Sequence, residues 1–324
     1  MFTDSQLLEK VNDFISHLSY GEQPAGLYEP IQYAMSLGGK RIRPVLMLMA
    51  YNLYRDDVDS VLSQAAGIET YHNFTLLHDD LMDNADIRRG KPTVHKKWSK
   101  NTAILSGDAM TLISYNLMTG AGDRYVPSVM RVFSQTALEV CEGQQYDMDF
   151  ETRMDVNEQE YLEMIRLKTS VLLAASLKIG ALMAEAPADD TQFLYDFGIN
   201  LGLAFQLRDD MLDVYGDPKV FGKKIGGDIL CNKKTYLLIQ ALRHGDSDQV
   251  KELMKWLTDE DFDPEEKIKA VTALYDAIDV RSLCEDRISH YTLLAETNLN
   301  MVKVPVEKKQ PLLDEMNKLM FREA

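Results

Sequence analysis

The chain predicts an all-α protein, and three observations carry that reading. Sustained period-two alternation is missing and β-branched residues do not cluster, so strand signals are nearly absent. Helix-opening signatures recur along the whole length. Several long stretches are apolar around most of a helical circumference, as expected of helices buried inside a larger helical assembly.

The elements follow in order. Thr3 and Gln6 have the spacing of a capping box, which opens a helix over 4–18. Further helices are expected over 28–37, 43–54 and 58–84. Asn101 begins the apolar run "NTAILSGDAMTLISYNLM" and a helix over 101–118, followed by one over 126–150. Asn157 with Glu160 repeats the capping-box spacing and opens 158–185, and 190–215 comes next. Shorter helices are read over 230–243 and 247–257. Asp263 followed by Pro264 fits an N-cap and first-turn proline, opening 264–278; the last two helices cover 280–298 and 306–321. No linker rich in Gly, Ser or Pro divides the chain, so residues 1–324 read as a single domain.

The composition narrows the function. Its 324 residues are 45% hydrophobic, enough for a substantial core, and carry a net charge of −16. Such a charge argues against nucleic acid or an anionic membrane as the main partner, while leaving room for a local basic pocket. The start, "MFTDSQLLEKVNDF", is acidic and lacks the pattern of a signal peptide. "VLLAASLKIGALMA" is short and interrupted by Lys178, so it reads as a buried helix and no stable membrane insertion is expected. Cys141, Cys231 and Cys284 form no pair motif, as expected of reduced thiols in a cytoplasmic protein.

One motif occurs twice. "LLHDDLMDNADIRRGKPTVH" contains Asp79, Asp80 and Asp83, and "FQLRDDMLDVYGD" contains Asp209, Asp210 and Asp213 at the same relative positions. The outer members of each set are i and i+4 and lie on one helix face. For an Asp-rich composition, two copies arise by chance in roughly a few per cent of cases. Both copies end apolar, core-like sequence, where charges need counter-ions. Two opposed faces would make a hard, oxygen-only ligand set suited to Mg²⁺, an ion that commonly bridges protein carboxylates to substrate phosphates. Cations interrupt nearby apolar or glycine-rich sequence: Lys40, Arg41 and Arg43, Arg88 and Arg89, Arg166 and Lys168, and Lys223, Lys224, Lys233 and Lys234. The ligand they imply is polyanionic.

With "GGKRIRP", the first aspartate motif and its RRG, "EGQQYDMDF", "RLKTSVLL" and "LAFQLRDDMLDVYGDPKVFGKKIGGDI" in order, the whole chain resembles the trans-isoprenyl diphosphate synthases, or polyprenyl synthetases, of short-chain type. The resemblance implies a single-domain helical bundle of the isoprenoid synthase type around a deep central cavity, usually as a homodimer. It implies an Mg²⁺-dependent prenyltransferase that condenses isopentenyl diphosphate with an allylic diphosphate. Carried over by position, Asp79 and Asp83 would bind two Mg²⁺ ions with Asp80 in support. Asp209 would bind a third, with Asp210 and Asp213 nearby and Asp228 behind them. Arg88, Lys168, Lys223 and Lys233 would contact the allylic diphosphate, although the sequence reads GKK and Lys224 could replace Lys223. Lys40, Arg43, His72 and Arg89 resemble the residues that hold isopentenyl diphosphate. Thr169 and Gln206 would face the developing cation, and Gln144 and Asp147 would line the same cavity.

Helix geometry offers a product-length gauge, the alternative being that Phe74 and Tyr71 are simply core residues. At about 1.5 Å rise per residue, Thr75 and Phe74 lie one turn below Asp79, with Tyr71 a further turn down. A growing prenyl tail along this face would meet Phe74. "HNFTLLHDD" resembles short-chain members, especially those making twenty-carbon products, and lacks the two extra residues in the first motif of many bacterial fifteen-carbon enzymes. A fifteen- to twenty-carbon product is expected, leaning to twenty. A longer-chain synthase is the alternative. A terpene cyclase is disfavoured by the complete second motif with Lys40 and Arg43, and a non-catalytic helical subunit by two complete motifs.

Overall fold

The computed structural model describes residues 2–217, 225–259 and 261–320. The order of elements is α1 Asp4–His17, α2 Ala25–Ser36, α3 Ile42–Asn52, a 3₁₀ turn Val58–Val61, α4 Leu62–Met82, a hairpin of β1 Ile87–Arg88 and β2 Lys91–Pro92, α5 Val94–Lys97, α6 Lys100–Thr119 and α7 Val126–Thr152. After these come α8 Glu158–Ile165, a π-helical segment Arg166–Ser170, α9 Val171–Met183, α10 Ala188–Tyr215, α11 Gly227–Leu230, α12 Tyr236–His244, α13 Ser247–Thr258, α14 Pro264–Ile278, α15 Val280–Met301 and α16 Val306–Met320. Among the described residues the fold is all-α apart from the two-residue strands, and no helix there is long and apolar enough to cross a membrane.

Local chemistry sets the helix starts. Thr3 caps α1 and Asn157 caps α8 through reciprocal capping boxes with Gln6 and Glu160. The Asp263 carboxylate accepts the amides of Glu265 and Glu266 at 2.9 and 3.0 Å, and Pro264 loses nothing at a position whose amide has no helical partner.

Three expected helices differ in detail, and one further element is new. The helix expected over 58–84 begins as a 3₁₀ turn because the Ser60 amide and hydroxyl both donate to the Asp57 carbonyl, at 3.0 and 2.7 Å. The segment expected to be one helix over 158–185 is interrupted at Arg166–Ser170 by π geometry, in which the Val171 amide donates to the Arg166 carbonyl five residues back. The helix expected over 230–243 starts at Tyr236, where the Thr235 hydroxyl accepts the Leu238 amide. The hairpin was not expected. Arg89 and Gly90 take φ of +53° and +72°, the left-handed pair that a tight two-residue turn needs. Ile87 pairs with Pro92 and Arg88 with Lys91.

The chain divides into two compact units. The first gathers the described residues of Met1–Ser134, Ala175–Leu194 and Val304–Leu312. Its core includes Leu46, Met47, Leu48, Ala65, Ile68, Met110 and Phe133, all fully buried; each large apolar side chain so buried stabilises by about 1.5–3 kcal/mol. The second gathers the described residues of Gln135–Ala174, Tyr195–Lys303 and Leu313–Ala324. Its core includes Phe197, Leu201, Leu207, Leu237, Leu253, Val280 and Leu299.

Candidate active site

The predicted site residues fall into two sets, one within each unit. In the first unit, α4 carries the first aspartate motif to its C-terminal end, with Asp83 as the capping residue. Carboxylates there oppose the helix dipole, so they need compensation. The hairpin supplies it by returning Arg88 to the motif. Arg88 Nε donates to both Asp80 oxygens at 2.8 Å, its Nη2 lies 2.7 Å from Asp80 Oδ1, and the same Nη2 is 3.7 Å from Asp79 Oδ2. The hairpin is anchored by the Thr93 hydroxyl on the Ala85 carbonyl and the Thr93 amide on the Asp86 carbonyl. Asp80 is buried, and burial raises its pKa against the pull of Arg88; Asp79 keeps a fifth of its side chain exposed, and Asp83 is exposed.

A second group of basic side chains lies in the same unit. Arg43 Nη1 donates to His72 Nε2 at 3.2 Å, which makes that ring nitrogen an acceptor. Burial first, and then Arg43, Arg89, Arg88 and Arg41, hold the His72 pKa well below the ordinary value, so the imidazole is neutral at pH 7. Burial also lowers Arg43, to about 10, leaving it charged. Arg89 donates to the Gly38 carbonyl from its left-handed turn position, and Lys40 is exposed two residues beyond that glycine. Arg41, grouped by sequence with the anion-binding cations, has another role. It is buried, with Nη1 on Glu69 Oε1 at 2.7 Å and Nη2 on the Met35 carbonyl at 2.8 Å.

The face of α4 below Asp79 is aromatic. Tyr71 packs on Phe74 and on Phe133, each with ring centres 5.3 Å apart; Tyr115 packs on Phe133 at 5.0 Å and Phe74 on His78 at 4.8 Å. Thr75 donates its hydroxyl to the His72 carbonyl at 2.8 Å.

In the second unit, α10 carries Asp209, Asp210 and Asp213. Asp210 is buried, and among the described residues its bonded partners are neutral. Its Oδ2 accepts the Tyr161 hydroxyl and its Oδ1 accepts Gln206 Nε2 at 2.9 Å. Burial and then Asp228 raise its pKa, while Lys233, Tyr161 and Gln206 oppose the rise. Asp213 Oδ2 accepts the Asp228 amide at 2.9 Å, and Lys233 Nζ stands 4.0 Å from Asp228. From the π segment, Lys168 Nζ reaches Asp147 Oδ2 at 2.6 Å and the Thr169 hydroxyl reaches Gln206 Oε1 at 3.1 Å. Gln144 lies one turn before Asp147 on α7 and is partly buried. Arg166 is bound in a two-pronged pair with Glu163, and Lys234 donates to the carbonyls of Asn232 and Glu151. Lys223 and Lys224 lie outside the described residues.

Among the described residues no three His, Cys, Asp or Glu side chains are gathered as a ready-made metal site. The donor chemistry nevertheless fits Mg²⁺. The oxygens of Asp79, Asp83 and Asp209 are hard and at least partly accessible, and a phosphate-bridged Mg²⁺ needs only one or two protein carboxylates. Tyr161 is the functional neighbour that sequence reasoning missed. It stands 49 residues from Asp210 in the chain, and no local signal links the two.

The sequence pattern of the polyprenyl synthetase family matches residues 24–275. A short-chain isoprenyl diphosphate synthase of Methanocaldococcus jannaschii is 40% identical over 280 residues, covering 86% of this chain and 85% of that one. A geranylfarnesyl diphosphate synthase of Natronomonas pharaonis is 38% identical over 256 residues, covering 73% and 75%. A solved geranylgeranyl pyrophosphate synthase superposes with a TM-score of 0.95 at 44% identity, covering 100% of both chains. These likenesses define a prenyltransferase acting on isoprenoid diphosphates. The chain belongs to the polyprenyl synthetase family.

Proposed function

We propose that this enzyme condenses isopentenyl diphosphate with an allylic diphosphate to give a short-chain all-trans prenyl diphosphate of fifteen to twenty carbons, leaning to twenty. The observation that carries the reading is the pair of complete aspartate motifs, each with a buried central aspartate and an outer aspartate that keeps accessible oxygen. Asp79, Asp83 and Asp209 would hold Mg²⁺, three ions with substrate bound, and the bound metal supplies positive charge to the departing diphosphate. Arg88, Lys168 and Lys233 add fixed cations for the same diphosphate, and Lys223 or Lys224 is the further candidate. Lys40, Arg43, Arg89 and the neutral His72 would hold isopentenyl diphosphate.

The reaction breaks the allylic C–O bond, and pyrophosphate leaves with the electron pair. Thr169 Oγ1 and Gln206 Oε1 present partial negative charge to the resulting cation. The isopentenyl double bond attacks the allylic carbon, and a proton from the isopentenyl unit passes to pyrophosphate. Apolar walls exclude water, which would quench the cation. Tyr71, Phe74 and Thr75 would set the length of the tail.

The chain would act as one catalytic domain, since the family match runs through residues of both units. Ile104, Leu105 and Leu112 are exposed on α6, which supports a homodimer. Cys141, Cys231 and Cys284 form no disulfide with one another, consistent with cytoplasmic work. Labelled isopentenyl diphosphate supplied with dimethylallyl, geranyl and farnesyl primers tests the proposal. Mg²⁺-dependent pyrophosphate release with a twenty-carbon product is expected. A twenty-five-carbon product would follow the Natronomonas relative instead. Turnover without isopentenyl diphosphate would point to a cyclase, and no turnover at all to a non-catalytic subunit.

A further inference from the structure

The π segment Arg166–Ser170 is flanked by two helices that treat it alike. On α7, Gly143 precedes Asp147 by four residues; on α10, Gly202 precedes Gln206 by four. Residues four apart share a helix face, so each helix presents a glycine and, one turn on, a polar partner. The polar partners bind consecutive residues of the segment, Asp147 taking Lys168 Nζ and Gln206 taking the Thr169 hydroxyl.

The glycines touch its backbone. A Cβ on Gly143 would lie 2.8 Å from the carbonyl carbon of Leu167 and closer still to the Lys168 amide nitrogen. A Cβ on Gly202 would lie 2.5 Å from Ser170 Cα and 2.6 Å from both Ser170 Cβ and Oγ. Glycine in a helix interior is destabilising relative to alanine, so both positions require a reason. Close approach to the widened turn supplies it. That turn carries an extra residue per hydrogen-bonded loop and is broader than the α-helix on either side.

We propose that Gly143 and Gly202 are positioning residues for catalysis. They set the depth at which the π segment sits, so that Lys168 and Thr169 meet Asp147 and Gln206 and point where the diphosphate and the allylic cation are handled. The inference rests on the roles given above to Lys168, Thr169 and Gln206. Neither glycine touches substrate; each acts through the segment it admits.

The test compares Gly143→Ala, Gly202→Ala and Ser170→Thr with the wild-type enzyme, counting folded protein by near-ultraviolet circular dichroism. The last variant adds one methyl at the Gly202 contact and disturbs folding least. A misplacement of about 1 Å costs roughly a hundredfold, so kcat of folded protein should fall about 10- to 100-fold in the alanine variants and less in Ser170→Thr. The Michaelis constant for isopentenyl diphosphate, whose binding residues lie in the other unit, should stay within about twofold because its binding groups are untouched. The ratio of prenyl alcohol to elongated product should rise, as a misaligned cation is captured by water. The double variant Gly202→Ala/Ser170→Gly removes two of the three clashing atoms and should recover part of kcat. A purely architectural role would lower the melting temperature and the folded fraction but leave kcat and the product ratio unchanged. That result in any folded variant, Ser170→Thr included, overturns the proposal. A wild-type enzyme that releases no pyrophosphate would instead overturn the functional reading beneath it.

Discussion

The two aspartate motifs are the same in spacing and differ in how the fold holds them. In both, the central aspartate is buried and the outer members keep contact with solvent. Asp80 is held by a guanidinium, with Arg88 gripping both its oxygens. Asp210 is held by the neutral Tyr161 hydroxyl and Gln206 amide. A charged partner cancels a buried carboxylate's charge, whereas neutral donors satisfy its lone pairs and leave the charge in place. With no guanidinium to cancel its charge, Asp210 answers burial and the nearby Asp228 with a raised pKa, and Gln206 links its carboxyl directly to Thr169. The spacing is shared while the supports differ: one motif is locked by a salt bridge at a helix end, the other is hydrogen-bonded through Gln206 to Thr169.

Four outcomes would break or sharpen this contrast. The largest effect is expected from the outer aspartates: Asp79→Asn and Asp209→Asn should each lower kcat by about 10²- to 10³-fold or more, since each removes charge stabilisation in the transition state. Steady-state pyrophosphate release reads this directly, and an effect confined to one motif would end the symmetry of function. The next comparison concerns the supports. Arg88→Met leaves a buried carboxylate without its cation and should cost about 3 kcal/mol of stability, whereas Tyr161→Phe removes one hydrogen bond and should cost about 1–2 kcal/mol. Chemical denaturation measures both, and equal losses would mean that the supports are interchangeable.

A third outcome concerns the first unit alone. Phe74→Ala opens the aromatic face of α4 below Asp79 and should shift the product by at least one five-carbon unit, read by chromatography of the dephosphorylated products. An unchanged product would place the length gauge elsewhere. The smallest effect is the acid limb of stability. His72 is held neutral, with its folded pKa well below the unfolded value near 6.5. Its folded-state contribution is thus complete above about pH 6.5 and is lost as pH falls below that value, because the unfolded chain takes up the proton first. His72→Asn should flatten the fall in stability between pH 7 and pH 5 in urea titrations; an unaltered slope would mean that other groups carry it.

What the sequence made legible followed from local chemistry. The capping boxes at Thr3 and Asn157 and the Asp263–Pro264 start lie within four residues of the helices they open, and all three formed as read. The two motifs were equally plain because i, i+4 spacing is enough to share a helix face. Features set by distant neighbours stayed hidden. The π segment lies against Gly143 and Gly202 from other helices, and Tyr161 meets Asp210 only through the fold. Arg41, Arg166 and Lys234 look like anion binders in sequence, yet they are committed to Glu69, Glu163 and backbone carbonyls. A charge shows its sign in sequence but not its partner. The hairpin escaped because two-residue strands have no periodicity to detect; the left-handed pair Arg89–Gly90 was its only local sign.

The most direct test is calorimetric titration of pyrophosphate into the enzyme with and without Mg²⁺, for wild type, Asp79→Asn and Asp209→Asn. The account predicts that wild-type binding is strongly Mg²⁺-dependent and that each substitution alone removes most of that dependence. Wild-type affinity and Mg²⁺ dependence retained in Asp209→Asn would contradict it, since the second motif would then have no part in holding the diphosphate.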